Sequence, residues 1–310
     1  MNIISQNDTL QQPAVVTIGF FDGVHLGHRH LISEVRTVAE QRQMTAAAIT
    51  FDTHPRQVLQ QDFVPQLLST PEEKLARLGD TGIEQCCMLH FDRSMAALSA
   101  FDFMQSVLRK RFNARVLVTG YDNRFGHNRA EGFDDYVEYG RQLGIDVVAG
   151  TPFEHNGMRI SSSLIRRSLA SGNIELANQA LGYAYTLTAP VTRGYAEGRR
   201  MGFRTANMDM NRINKMLPAQ GAYATLVRID QDGAWLPAMT NIGIRPTFGN
   251  YGTTVETFIM DFSGNLYGHT IEVAFCHYLR PEKPFANEAE LAKQLADDEQ
   301  QTRQLLTQTI

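Results

Sequence analysis

Only three cysteines and one tryptophan occur among 310 residues, and two of the cysteines, Cys86 and Cys87, are adjacent. A disulfide framework is thereby excluded, and a reducing, cytoplasmic setting is expected. No run approaches the roughly 18 apolar residues that make a membrane span, so no membrane association is expected. Met1 to Asp8 contain no basic segment followed by an apolar one, and no secretory leader is expected. Neither sign of charge dominates: 29 basic side chains face 33 acidic ones, a formal net charge of −4, and neither half is a basic block. Nucleic-acid binding by phosphate neutralisation is therefore disfavoured, whereas a small anionic ligand needs only local positive potential. The chain has no Gly-x4-Gly-Lys-Ser/Thr phosphate loop, no internal repeat and no low-complexity segment. Nothing in it marks an obligate protein partner. What remains is an ordinary globular composition and a length that suits about two domains.

The first half alternates β-like runs with helical stretches. Strands are expected at Ala14–Phe20, Thr45–Phe51, Cys86–Phe91, Arg115–Gly120 and Ile145–Ala149. Helices are expected at about Gly27–Arg42, Ala100–Arg111 and Phe133–Leu143, and another from Thr70, where Pro71 and Glu73 complete a capping box. Such alternation predicts an α/β domain with a parallel sheet covered on both faces. After about Tyr183 the pattern changes. Short β-like runs follow one another at Thr186–Thr192, Gly221–Ile229, Trp235–Ile242, Thr254–Asp261 and Ile271–Leu279, and a helix at Glu288–Thr307 closes the chain. An antiparallel sheet or small barrel is expected there. The domains are therefore drawn as 1–184 and 185–310.

The most informative string runs from Gly19 through Phe20, Asp22, Gly23, His25 and Gly27 to His28. It leaves the first strand and enters the first helix, at the strand end where open parallel sheets bind ligands. Gly23 and Gly27 let backbone approach a phosphate. The helix start offers free N–H groups, and His25 and His28 are spaced to donate to one phosphate. A surface turn with two solvated histidines is the plainer alternative. A zinc site of His25, His28 and His30 is disfavoured, because no helical pair four apart and no cysteine or acidic ligand follows at a zinc interval.

His25-Leu26-Gly27-His28 resembles the HxGH signature of nucleotidyltransferases, and Gly19–His28 resembles the opening of bacterial bifunctional riboflavin kinase/FAD synthetases. Three further strings match that family in order: Thr50-Phe51-Asp52-Thr53-His54-Pro55, Gly120–Gly126, and Ile160–Arg166, in which Ser163 replaces a common threonine. The resemblance implies a Rossmann-like nucleotidyltransferase domain that joins FMN and ATP into FAD and pyrophosphate. It implies that His25 and His28 contact the triphosphate, that Gly19, Phe20, Asp22, Gly23 and Gly27 line the nucleotide, and that Arg159, Ser161, Ser162 and Arg166 hold pyrophosphate. Asp122 would meet the ribose or steer the nucleotide, and Phe51, His54 and Pro55 would meet the flavin. Plainer roles exist: Ser161–Ser163 suit a helix cap, Arg166 a solvated charge, and Phe51 and Pro55 core packing.

In the second half, Gly194, Gly198 and Gly202 precede Phe203-Arg204-Thr205-Ala206-Asn207. The glycines make a loop able to cover phosphates with amides. Thr205 and Asn207 share a face of an extended segment and offer neutral oxygens suited to Mg²⁺. The string resembles the flavokinase GFPTAN element, with Arg204 where the family has proline. Glu256 matches the family's catalytic glutamate, flanked by the matching strings Asn241–Thr247 and Leu266-Tyr267-Gly268; alone it would read as a solvent-facing strand residue. The resemblance implies a six-stranded antiparallel flavokinase barrel that phosphorylates riboflavin with ATP and Mg²⁺. ATP, riboflavin and FMN are thus the expected partners. Two alternatives stay open: an adenylyltransferase whose kinase is impaired by Arg204, and a flavin- or nucleotide-binding regulator without turnover.

Overall fold

A computed structural model describes every residue except 5–7, 61, 121–122, 128–129, 193–202, 204, 231–232, 248–249 and 308–310. By contacts the chain divides into two compact units, Met1–Ser162 and Ser163–Ile310.

The first unit is built on a six-stranded parallel sheet. Its strands are β1 (Asn2–Ile4), β2 (Ala14–Ile18), β3 (Thr45–Phe51), β4 (Gln85–Leu89), β5 (Ala114–Thr119) and β6 (Asp146–Ala149), arranged β1-β4-β3-β2-β5-β6. Helices α1 (Leu26–Arg42), α2 (Pro55–Leu59), α3 (Pro71–Gly79), α4 (Arg93–Ala96), α5 (Ala100–Phe103) and α6 (Phe133–Leu143) connect them, and β7 (Glu154–His155) and β8 (Met158–Arg159) form a small hairpin. The central strands are apolar on both sides because both faces are covered. Val16, Ile18, Ala47 and Ile49 face one core with Met104, Leu108, Phe112 and Tyr136. Val15, Ala46 and Ala48 face another with Ile32, Val35 and Leu78. Even Cys86 and Cys87 part to opposite cores, as buried thiols that burial pushes up to about 12 and about 11.

Two features depart from the sequence expectations. The strand β1 pairs in parallel with β4, Asn2 opposite Gln85; three residues at an edge carry no readable periodicity. The helix expected over Ala100–Arg111 is α-helical only to Phe103 and then continues as a π-helix over Met104–Arg111. The wider turn changes the phase of the apolar stripe, so that Met104, Val107, Leu108 and Phe112 all reach the core.

The second unit holds α7 from Ser163 onward (its whole span is Ser162–Ala170), α8 (Ile174–Leu181), six strands and α9 (Glu288–Thr307). Strands β9 (Tyr185–Thr192), β10 (Thr205–Met208), β11 (Gly221–Ile229), β12 (Trp235–Thr247), β13 (Asn250–Ile259) and β14 (Thr270–Arg280) close into a barrel in the order β10-β13-β12-β11-β14-β9. Inside runs a ladder of buried hydroxyls, Thr225 to Thr240 at 2.9 Å and Thr240 to Thr257 at 3.0 Å. Asn178 on α8 docks on the barrel by donating to the Phe275 carbonyl and accepting from the Tyr185 amide, both at 2.8 Å.

Closing helix α9 is anchored by one buried ion pair. Arg280 donates through Nε and Nη2 to the Asp298 carboxylate at 2.7–3.1 Å, and Gln294 donates to the same carboxylate at 2.8 Å. The Asp298 side chain is only 3% exposed, so deleting it strands a guanidinium against the barrel. Asp298→Ala should therefore lower the stability of this unit by about 3–5 kcal/mol. Trp235, the single tryptophan, lies on β12, so its fluorescence during urea unfolding follows this unit. An unchanged midpoint would show the pair to be dispensable.

Candidate active sites on the two units

The first site forms where the sheet order reverses, at the carboxyl ends of β2 and β5, a topological switch point. Beyond β2 the backbone makes a tight turn, Asp22–Val24, in which Phe21 (φ 52°), Gly23 (φ 75°) and Val24 (φ 39°) are all left-handed. A β-branched residue in that region is strained, so something must hold it. Asp22 does so from beneath. It is 3% exposed, and its Oδ1 accepts the Leu68 and Ser69 amides at 2.9 and 3.1 Å, while the Gly23 amide donates to Ser69 Oγ at 3.0 Å. Asp22, expected at the nucleotide, thus has a structural task that the sequence pattern did not disclose.

From this turn His25 caps α1. Its Nδ1 accepts the His28 amide at 3.3 Å, which leaves the proton of the neutral ring on Nε2. The two imidazoles stack, centroids 3.6 Å apart and 17° from parallel, and Phe21 packs edge-on against His28 at 5.2 Å. His25 is buried and His28 half-buried. His30 instead bonds Thr151 Oγ1 at 2.7 Å, so the three histidines do not converge. Among the described residues no group of three or more His, Cys, Asp or Glu is arranged to hold a metal.

Gly27 is where the 159–162 segment closes on the helix start. A Cβ there would lie 3.3 Å from both the His25 ring and the Ile160 carbonyl oxygen. Ser162 donates to the Asp22 carbonyl at 3.4 Å. Arg159 lies exposed on β8, and Ser161 and Ser162 lead into α7. Arg166 stands on α7 within the second unit. Gly19 sits under Phe21, whose ring would be 3.0 Å from an added Cβ. Asp122 lies outside the described residues. Its neighbour Asn123 is a residue that sequence reasoning passed over: Nδ2 donates to the Ile18 carbonyl at 2.6 Å, tying the segment after β5 to the end of β2. Its place within the Gly120–Gly126 string was the available signal.

Along the same edge, Phe20 meets the His54 ring at 4.8 Å, and His54 meets Phe63 at 5.3 Å. His54 caps α2 through Nδ1, which accepts the Arg56 amide at 3.1 Å, and Pro55 occupies the first helical position. Phe51 is buried at the end of β3 against Phe91. Phe63 also lines an open surface cleft with Leu59, Gln60, Asp62 and Arg93.

The second site lies on the outer face of the barrel. Asn207 on β10 pairs across β13 with Glu256, and Glu256 pairs with Asn241 on β12, so the three side chains form one row. Ala206, Thr257 and Thr240, the adjoining row, are buried and point inward. Thr205 lies opposite Phe258, which carries Phe203 edge-on at 4.9 Å. Asn241 Nδ2 donates to Glu282 at 3.0 Å. Glu282 fits because Gly243 has no side chain: a Cβ there would stand 2.0 Å from the carboxylate oxygen. Asn241 belongs to a string quoted above, but Glu282 carried no sequence signal. Gly194, Gly198, Gly202 and Arg204 lie outside the described residues.

Comparison with known proteins follows the same division. A family model described as FAD synthetase matches residues 7–164, and one described as riboflavin kinase matches residues 181–306. The bifunctional riboflavin kinase/FMN adenylyltransferase of Escherichia coli K12 is 34% identical over 95% of this chain and 93% of its own length. The protein of that name from Haemophilus influenzae is 32% identical over 93% and 92%. A solved structure described as a macrolide-efflux protein from Streptococcus pneumoniae superimposes with a TM-score of 0.86 at 29% identity, covering 97% of this chain and 98% of that one. Among the described residues no helix is long and apolar enough to cross a membrane.

Proposed function

Because the chain belongs to the bifunctional riboflavin kinase/FMN adenylyltransferase family, we propose that it carries the two successive steps in two domains, with adenylyl transfer in residues 1–184 and phosphorylation in residues 185–310. The enzyme converts riboflavin and ATP to FMN and ADP, then FMN and ATP to FAD and pyrophosphate. The observation that supports the assignment is that the stacked imidazoles at a helix start lie in the first unit and the Asn207–Glu256–Asn241 row on the barrel lies in the second.

In the adenylyl transfer, a phosphate oxygen of FMN attacks the α-phosphorus of ATP and pyrophosphate leaves. No protein nucleophile is needed, so the task is alignment and charge stabilisation. His25 and His28, with the amides opening α1, meet the triphosphate. Gly19, Phe20, Gly23 and Gly27 shape the turn around it. Arg159, Ser161 and Ser162 receive the departing pyrophosphate, and Asp122 meets the ribose. Phe51, His54 and Pro55 border the flavin.

In the phosphorylation, Glu256 accepts the proton of the ribityl 5′-hydroxyl as that oxygen attacks the γ-phosphorus of ATP. Gly194, Gly198 and Gly202 offer backbone amides to the phosphates, as the family resemblance implies. The hydroxyl of Thr205 and the amide oxygen of Asn207, two apart on β10, are neutral oxygen donors that fit Mg²⁺, which keeps most of its ligands as water and phosphate. When bound, that ion offsets charge on the β- and γ-phosphates. We place the enzyme in the cytoplasm, on the strength of its buried free thiols.

Supplying riboflavin, ATP and Mg²⁺ and chromatographing the flavins should yield FMN and then FAD. The arginine at 204 favours one competing reading, in which the kinase is lost. FAD formed only from added FMN would establish it, and Arg204→Pro should then raise FMN formation without altering FMN-to-FAD conversion.

A further inference from the structure

Lys74 lies in the first turn of α3 and is 3% exposed. Its Nζ donates to the Phe51 carbonyl at 2.5 Å and to the Phe20 carbonyl at 3.2 Å, and it sits 4.2 Å from the centroid of the Phe20 ring. Both oxygen partners are neutral carbonyls, and the opposing charge that acts on the ammonium most is the Asp22 carboxylate on the neighbouring turn. That is a costly placement for a side chain that methionine could replace in volume. Its location gives the reason. The β2–β3 ladder runs to Ile18 opposite Ile49, and the Gly19 amide adds one last bond to the Ile49 carbonyl. Beyond that point the Thr50 hydroxyl donates to the Phe20 carbonyl at 3.1 Å, and Lys74 joins that carbonyl to the Phe51 carbonyl.

We propose that Lys74 is a positioning residue of the adenylyl-transfer site: it clamps the ends of β2 and β3 and lays a fixed positive charge behind the turn that leads to His25 and His28. This deepens, and rests on, the assignment of adenylyl transfer to this unit. The clamp sets the Phe20 ring, and through it the edge shared with His54. The charge favours the close approach of two anionic substrates, FMN and ATP.

The groups that face the ammonium are Asp22 on the turn, Asp52 after β3 and Cys86 on β4. Asp22 is bonded to the 68–69 amides and Asp52 to His90 and the Phe91 amide, and the Cys86 thiol, pushed up to about 12, is neutral. Burial pulls Lys74 from 10.5 down to about 8. The unfolded chain therefore holds this proton more firmly than the folded one, and stability should rise as pH climbs from about 8 toward 10.5. The positive charge at the site is lost over the same interval, so adenylylation should fall while stability rises. A purely structural lysine would not separate the two.

The test compares full-length wild type, Lys74→Met and Lys74→Arg, measuring pyrophosphate release from FMN and ATP between pH 7 and 9.5. Circular dichroism and a thermal melt of each variant serve as the control of folding, and riboflavin phosphorylation reports on the second unit. Lys74→Met should lower kcat/KM for adenylylation on the order of 10- to 100-fold at pH 7.5, carried mainly in kcat, and leave phosphorylation unchanged. Lys74→Arg should keep most of the activity and lose the alkaline decline near pH 8. Should the methionine variant fail to fold, the arginine variant decides alone. An unchanged rate in Lys74→Met, or an alkaline decline that persists in Lys74→Arg, overturns the proposal. If wild type itself releases no pyrophosphate from FMN and ATP, the site assignment fails instead.

Discussion

His28→Ala is expected to slow FMN adenylylation by about 10²- to 10³-fold and to leave riboflavin phosphorylation at the wild-type rate. The size follows from removing one preorganised donor aimed at charge that develops in the transition state. Selectivity follows from the local structure. The group that His25 receives from residue 28 is the backbone amide, so alanine keeps the helix cap while deleting the ring that stacks on His25 at 3.6 Å. The variant should therefore fold, retain the turn at Asp22–Val24, and lose chemistry more than binding. Pyrophosphate release from FMN and ATP measures the first step, and FMN formation from riboflavin the second. Equal losses in both would end the assignment of one step to each unit.

The second large effect is expected from Glu256→Gln, which should depress FMN formation by about 10²- to 10⁴-fold, the usual worth of a positioned base. Glutamine keeps the shape and the row with Asn207 and Asn241, so riboflavin affinity should change little and the loss should appear in kcat. Conversion of added FMN to FAD should proceed as in wild type. A glutamine variant that still phosphorylates riboflavin at full rate would remove Glu256 from the mechanism and leave the row as a packing feature.

Much of this architecture is legible in the chain because its signals are local. The runs Ala14–Ile18 and Thr45–Phe51 are apolar on both faces, which only a sheet covered on both sides requires. The capping box at Thr70 is written in three residues and forms as written. The glycine and histidine string after β2 is contiguous, so the sharp turn and the helix start that His25 caps are legible in the chain. What escapes notice is built from residues distant in sequence. The task of Asp22 depends on amides 46 and 47 residues away. Lys74 reads as one more charged residue on a helix until β2 and β3 bring two carbonyls to it. Glu282 finds Asn241 only when the barrel closes, and it does so over a glycine. The π-turn after Phe103 escapes because its pattern differs from an α-helix by one residue per turn.

The left-handed turn at Phe21–Val24 carries a consequence for how such a chain can change over time. Its two supports, the Asp22 carboxylate and the Ser69 hydroxyl, meet each other at 3.4 Å and serve the same three-residue bend. Loss of the Ser69 hydroxyl removes one bond to the Gly23 amide but leaves Asp22 its two backbone amides, whereas loss of the Asp22 carboxylate strands both amides. Position 22 is therefore the less replaceable of the two, and the segment 68–69 holds the bend that leads to the histidines mainly through its main chain.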